Sequence, residues 1–430
     1  MDKVADTLGR VGAWCSQNKY LSSIKNAFQT FMPLTIAGAI GVLWTCVLVN
    51  ESSGLGLLWS PIMALEFTNV AFNAISFATI SCITVGITFG IAYEIGVWNL
   101  GADYAGYFPG ILGLAAWISV TQTSFTGDLG DAFTGISSNA LGATGLFTGM
   151  FIAILAVEFY CWLMKKDALK IKMPEMVPPG VARAFEALIP AFLVLLLTST
   201  IGMVCQMATG LYLNDVIASL MSPLVAVGTS IPGVMVIYIL IMLFWLVGIH
   251  GNNMLSAVKE TLYTPLTLAN TTAFENGETP EYLVNMGFLQ MFGEFGGSGV
   301  TLGLVIAIFI FSKREDNRAV AGLSIVPGLF NINETVTFGV PMVLNPILGI
   351  PFVFTPCITI IIGYILSAIG FCPYVCISVP WTTPPVLLGF LATGGAWQGA
   401  VSQAIVIAVA VLVYTPFLLV YEKQQAKGVM

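Results

Sequence analysis

His250 is the only histidine in the chain, and it stands between Gly248 and Gly251 and just ahead of Asn252 and Asn253. An imidazole can donate and accept hydrogen bonds, and the two amides add both kinds, a set better matched to sugar hydroxyls than to an ion. A second polar island, Asn331 to Thr335, places Glu334 next to Asn333 in apolar, Pro- and Gly-rich sequence. A carboxylate there accepts strongly from paired hydroxyls, and beside a C6 hydroxyl it could act as a base. Glu294 lies in a glycine-rich stretch, Met291 to Gly299, whose glycines permit close backbone approach or a sharp turn. That stretch lacks the lysine and helix of a phosphate cradle. Trp245 and Trp381 each adjoin a polar segment and offer faces on which the C–H surface of a sugar ring can stack. Asn139, at the start of a later apolar run, could add a wall, although a solvated outer loop is the ordinary reading there.

Each of these residues has a competing structural reading. His250 could bond a backbone carbonyl between packed helices, Glu334 could be neutralised by a partner such as Lys259, and Glu294 could be a charge filling a gap between helices. Against this, polar and ionisable groups beside long apolar runs are costly in lipid and therefore face a cavity or a partner. Our expectation is that the two islands meet around a polar ligand.

The elements that must position them are membrane helices. Of 430 residues, 57% are hydrophobic and 9% charged, and the mean hydropathy is +0.90. Soluble domains carry about 25% charged residues, so this is an integral membrane protein. Its apolar runs are long and unbroken, which favours spanning helices over a barrel. The first residues, Met1 to Lys25, are polar with four basic residues, unlike a cleaved signal peptide. They suit an amphipathic helix on the cytoplasmic surface. Almost all of the 15 Lys and Arg residues fall in four clusters: Lys3 to Lys25, Lys165 to Arg183, Lys313 to Arg318, and Lys423 with Lys427. The positive-inside rule makes all four, and hence both termini, cytoplasmic. Nothing in this composition suggests a nucleic-acid partner. The eight cysteines are scattered and accompany a single histidine, so they read as apolar fillers and no metal site or cofactor is expected.

Four spans are expected in the first half, near 31–49, 70–92, 104–120 and 141–164. The charged, Pro-containing stretch 167–186 then divides the chain into residues 1–175 and 176–430 and continues into a short amphipathic helix, Val181–Leu188. Beyond it, runs at 191–213, 234–249 and 299–311 give the wrong parity for a cytoplasmic Lys313. One more crossing or a segment that turns back must therefore lie at 215–230 or 252–273, and the region after His250 is favoured. The last third has interrupted runs at 323–345 and 382–395 and spans at 350–371 and 400–420. Broken helices of this kind build transporter binding sites.

The motifs Gly248-Ile-His-Gly251, Ile332-Asn-Glu-Thr-Val-Thr-Phe-Gly-Val-Pro-Met-Val-Leu-Asn-Pro346, and Pro380-Trp-Thr-Thr-Pro-Pro385 with Gly389-Phe-Leu-Ala-Thr-Gly394 resemble the membrane-embedded IIC component of the bacterial sugar phosphotransferase system. The resemblance is to the lactose, cellobiose and N,N'-diacetylchitobiose branch, and one departure is Thr335, where the common residue is proline. It implies an all-α polytopic fold of about ten transmembrane helices plus re-entrant hairpins. It also implies an N-terminal half that forms a homodimer and a C-terminal half that binds sugar. By the same motifs His250 and Glu334 become sugar contacts, with Glu334 near the hydroxyl that receives phosphate from a phosphocysteine on a separate IIB protein. Whether to class such a transporter subunit as an enzyme is left open. The expected substrate is a β-linked disaccharide, N,N'-diacetylchitobiose first and cellobiose next, carried across a bacterial cytoplasmic membrane. A proton- or ion-coupled sugar transporter and a polytopic enzyme using His250 and Glu334 as acid and base are the competing functions.

Overall fold

The computed structural model describes residues 17–51, 54–126, 132–174 and 176–426, together with residues 10 and 14. The expected amphipathic start therefore lies largely outside the described residues, as do Lys3 and Lys427. The described residues are overwhelmingly helical, and seven helical runs are long and apolar enough to cross a membrane, or up to nine if each of two bent pairs counts as one. The shorter apolar helix Phe108–Val120 adds a further segment. Helices satisfy their own backbone hydrogen bonds, which lipid cannot do.

Several boundaries differ from the sequence reading. The expected span 70–92 is split at Cys82, with helical runs Ser60–Ser81 and Ile83–Leu100 on either side. The expected short amphipathic helix Val181–Leu188 is the opening of one continuous helix, Pro179–Thr209, with Pro179 at its start and Gly210 (φ 74°) at its end. Proline is accommodated at a first helical turn, whose N–H groups have no intrahelical partner. The loop 121–139 contains a small antiparallel hairpin, with Ser124 opposite Thr134 and Thr126 opposite Ala132.

The chain divides into two compact units, residues 17–35 with 77–225, and residues 1–16 with 36–76 and 226–430. Neither is a continuous half of the chain, so the packing boundary and the charge boundary near 175 are different features. In the first unit, helices Ile83–Leu100, Phe108–Val120, Gly145–Leu163 and Pro179–Thr209 pack through small residues. A Cβ on Gly113 would lie 2.4 Å from the Cβ of Ala92, and one on Gly149 would lie 2.2 Å from Thr88 Oγ1. Close backbone approach of this kind is what small residues provide between membrane helices. These glycines are thus used inside the unit. At one end of it Lys19 pairs with Glu158 at 2.5 Å and Arg183 donates to the Asp103 carbonyl at 2.6 Å. Tyr104 donates to Glu186 at 2.6 Å, and this bond together with burial pushes its hydroxyl up to about 12.

The second unit holds two chain reversals. In the first, helix Ser256–Glu275 is followed by a turn and helix Met286–Gly293. Asn270 holds that turn: its amide nitrogen donates to the Tyr282 and Val375 carbonyls at 2.8 and 2.9 Å, and its oxygen accepts from the Glu281 and Tyr282 N–H groups at 3.1 and 2.9 Å. In the second, the Cys376 and Ile377 N–H groups both donate to the Ala392 carbonyl, at 2.9 and 3.0 Å. Asn285 donates to Val375 as well, at 2.9 Å, so the two reversals share one acceptor. Sharp breaks flank them, 68° between Leu213–Thr229 and Ile231–Leu246 and 61° between Met286–Val300 and Leu302–Phe311. At the far end of this unit, Glu422 near the end of helix Trp397–Ala426 accepts from Ser312 and, at 2.8 Å, from Asn317. The third and fourth basic clusters therefore lie together, as do Lys19 and Arg183 in the other unit.

Candidate substrate site

Helix Ile231–Leu246 ends beside the first polar island, where Gly248 (φ 82°) turns the chain. The Leu344 N–H, just past the second island, donates to the Leu246 carbonyl at 2.9 Å. One backbone bond thus ties the end of that helix to the segment following Glu334. Trp245, almost wholly buried in the core with Phe352 and Leu304, places its ring 4.4 Å from that of His250. His250 caps the short helix Gly251–Met254, its Nδ1 accepting from the Asn253 N–H at 3.3 Å. In a neutral imidazole that assigns the proton to Nε2. Nε2 lies 3.9 Å from Glu334 Oε1. The separation is longer than a direct hydrogen bond. A hydroxyl between them would accept from His250 and donate to Glu334, leaving the carboxylate placed to take its proton.

Beneath this pair the glycine-rich turn serves as a hub. Asn252 donates to Ser298 Oγ at 3.0 Å, and Asn333 donates to the Ser298 carbonyl at 2.8 Å and to Thr337 Oγ1 at 3.1 Å. Gly297 (φ 87°) is needed here, because a Cβ on it would sit 2.6 Å from the Asn333 side chain. Asn331 accepts from the Gly296 N–H at 2.6 Å and donates to the Trp381 and Thr383 carbonyls at 2.5 and 3.0 Å. Segments from four parts of the sequence thus converge. His250, Glu334 and Trp381 stay 39%, 49% and 46% exposed, while Asn331 and Asn333 are buried beneath. Trp245 Nε1 and Asn252 Oδ1 are buried without a protein hydrogen-bond partner. Buried polar atoms of this kind are favourable contacts for a polar ligand or an ordered water.

Not every expected residue faces this opening. Glu294 is taken up by Lys259, and its Oε1 also accepts from Tyr238 at 2.9 Å. Lys259 is thus the partner of Glu294 and not of Glu334. Asn253 is exposed beside His250, whereas Asn139 is exposed on helix Ser138–Leu141 of the other unit. Ser298, Thr337 and Tyr238 were not singled out from the sequence. Tyr238 precedes Trp245 by seven residues on one apolar helix, a spacing that places both on one face. Among the described residues, no group of three His, Cys, Asp or Glu side chains could hold a metal ion.

Residues 25–356 match the family described as "Phosphotransferase system, EIIC". This chain belongs to that family. It is therefore a multi-span membrane component of the bacterial phosphotransferase system, as its motifs suggested. It is 32% identical to the PTS system oligo-beta-mannoside-specific EIIC component of Bacillus subtilis (strain 168), over 99% of this chain and 96% of that one. It is 30% identical to the cellobiose-specific EIIC component of Lactococcus lactis subsp. lactis (strain IL1403), over 96% of each. The crystal structure of the transporter ChbC, the IIC component of the N,N'-diacetylchitobiose-specific system, superposes with a TM-score of 0.86 at 31% identity over 96% of each chain. The all-α polytopic fold read from the sequence is the fold of this EIIC chain.

Proposed function

We propose that this EIIC chain binds a β-linked disaccharide at the two polar islands and carries it across the membrane for phosphorylation by a phospho-IIB protein. N,N'-diacetylchitobiose is the first candidate and cellobiose the second, because similar proteins are named for these sugars or for β-linked glucan and mannan oligosaccharides. The observation that carries the reading is the His250–Glu334 pair, a donor and an acceptor 3.9 Å apart in an exposed recess of an apolar protein. Trp381 supplies the stacking face and Asn253 a further polar contact, while Asn252, Asn333 and Asn331 hold the recess in shape. Glu334, in this reading, is also the base for the hydroxyl that accepts phosphate. Glu294 supports the site from behind. A homodimer remains part of the proposal by family likeness. Binding measured for purified protein against a panel of β-linked disaccharides should give the tightest affinity for one of the two named sugars. Uptake in cells should require the phosphoenolpyruvate phosphorelay. Uptake that follows a proton gradient without the phosphorelay would support a secondary transporter instead.

The pairing of basic clusters within each unit supports cytoplasmic termini, since opposing the positive-inside bias is unfavourable during insertion. Single cysteines at Lys170, Lys313 and Lys423, in a background without native cysteines, should all be labelled only from the cytoplasmic side. Labelling of any of them from outside would refute this topology.

A further inference from the structure

Gln403 is fully buried in helix Trp397–Ala426, a run otherwise rich in Ala, Val, Ile and Leu, and all its hydrogen bonds go to other segments. Its Oε1 accepts from two backbone N–H groups, Val386 at 2.7 Å and Gly389 at 2.8 Å. Its Nε2 donates to the Met291 carbonyl at 3.0 Å. One amide thus joins the segment after the Trp381–Pro385 loop to the helix that leads into the glycine-rich turn. The reach is possible because helix Leu387–Ala392 lies backbone against backbone on the start of Gln403's helix. A Cβ on Gly389 would meet the Gly399 carbonyl at 2.5 Å.

The residue held by this amide is strained. Val386 has φ 73° and ψ −50°, a region that a β-branched residue adopts only under constraint. It follows Pro384 and Pro385, whose fixed φ angles carry any change at Val386 back toward Thr383 and Trp381. The loop is pinned at its other end by Asn331, which bonds the Trp381 and Thr383 carbonyls.

We propose that Gln403 is a positioning residue for the sugar site: it clamps Val386 in a strained turn and thereby fixes the Trp381 loop as one wall of the recess. This rests on the reading of Trp381 as a sugar contact. Gln403 touches no sugar in this scheme, so its effect reaches the ligand only through loop geometry. Release of the clamp lets Val386 relax and displaces the loop, whereas a glycine at 386 has no strain to release.

The test compares full-length Gln403→Met, Val386→Gly and the double variant, measuring disaccharide affinity and thermal unfolding in parallel. Gln403→Met should weaken binding of the preferred disaccharide about tenfold, the size of one lost hydrogen bond. Val386→Gly alone should stay near the wild type. In the double variant, glycine should restore most of the affinity without restoring the lost thermal stability. That separation is the signature of positioning, because a role in core packing alone gives no recovery of binding. A second measurement uses the unaltered protein. Coupling between sites is reciprocal, so saturating sugar should slow hydrogen exchange at the amides of Val386 and Gly389. Folded Gln403→Met that binds like the wild type, or unchanged exchange at these amides under saturating sugar, would overturn the clamp and leave the proposed function standing. A wild-type protein that binds no disaccharide would overturn both.

Discussion

Replacing Lys259 with methionine is expected to destabilise the protein by about 3–5 kcal/mol, enough to lower its thermal unfolding temperature by many degrees. Lys259 is 5% exposed, and its ammonium pairs with Glu294, which also accepts from Tyr238 at 2.9 Å. Methionine preserves much of the volume but leaves the Glu294 carboxylate buried with a single hydroxyl partner. Desolvating an unpaired charge is what makes breaking a buried pair costly, whereas removing both charges together is often nearly neutral. The double variant Lys259→Met with Glu294→Gln keeps an acceptor for Tyr238 and should therefore recover most of the lost stability. Thermal unfolding in one detergent for the wild type, both single variants and the double variant gives the coupling directly. A double variant as unstable as the two single losses added together would show that the pair is not a coupled unit.

The partner of Lys259 was also the point at which the sequence was least informative. Glu294 and Glu334 were both plausible, and the choice depends on how a helical reversal folds. In the structure, helix Ser256–Glu275 returns through Met286–Gly293, and that return brings position 294 back to position 259. Nothing in local spacing encodes such a closure. The convergence of His250 with Glu334 was legible for the opposite reason. In a chain this apolar, few polar groups avoid lipid, and those few must share a cavity or partners. Asn331, Asn333 and Ser298 lay in segments already marked as unusual. Their role as supports, not contacts, emerges only from bonds to backbone atoms of distant segments.

Gln403 shows a different kind of omission. An amide inside an apolar run is itself a signal. Read as one residue of a spanning helix at 400–420, it was passed over in favour of charged groups. The break at Cys82 carried no comparable signal, because neither proline nor glycine stands there. The hairpin at Ser124–Thr134 was hidden by its length, since each strand has only three residues and both lie in a polar loop.

Glu334→Gln should lower disaccharide affinity by about 1.5–3 kcal/mol, roughly tenfold to a hundredfold, and lower phosphorylation of the sugar further still. The amide keeps the shape of the carboxylate and one acceptor oxygen, so packing around helix Glu334–Gly339 is conserved. What disappears is the charge, and with it the charge-assisted bond to a sugar hydroxyl. Because Glu334 is 49% exposed, the fold should tolerate the change, and thermal unfolding should stay near the wild type. His250→Ala removes the facing donor and should weaken binding less, since water can replace a group that lines an open recess. If one hydroxyl bridges Nε2 and Oε1 across 3.9 Å, the two losses share a contact, and the double variant should lose less than their sum. Binding and turnover then separate two roles of the carboxylate. A phosphorylation rate at saturating sugar that falls with Glu334→Gln marks Glu334 as the base, because uniform binding losses vanish at saturation. An unchanged rate at saturation would confine Glu334 to recognition. Unchanged affinity in both folded variants would show that the two islands do not form the sugar site.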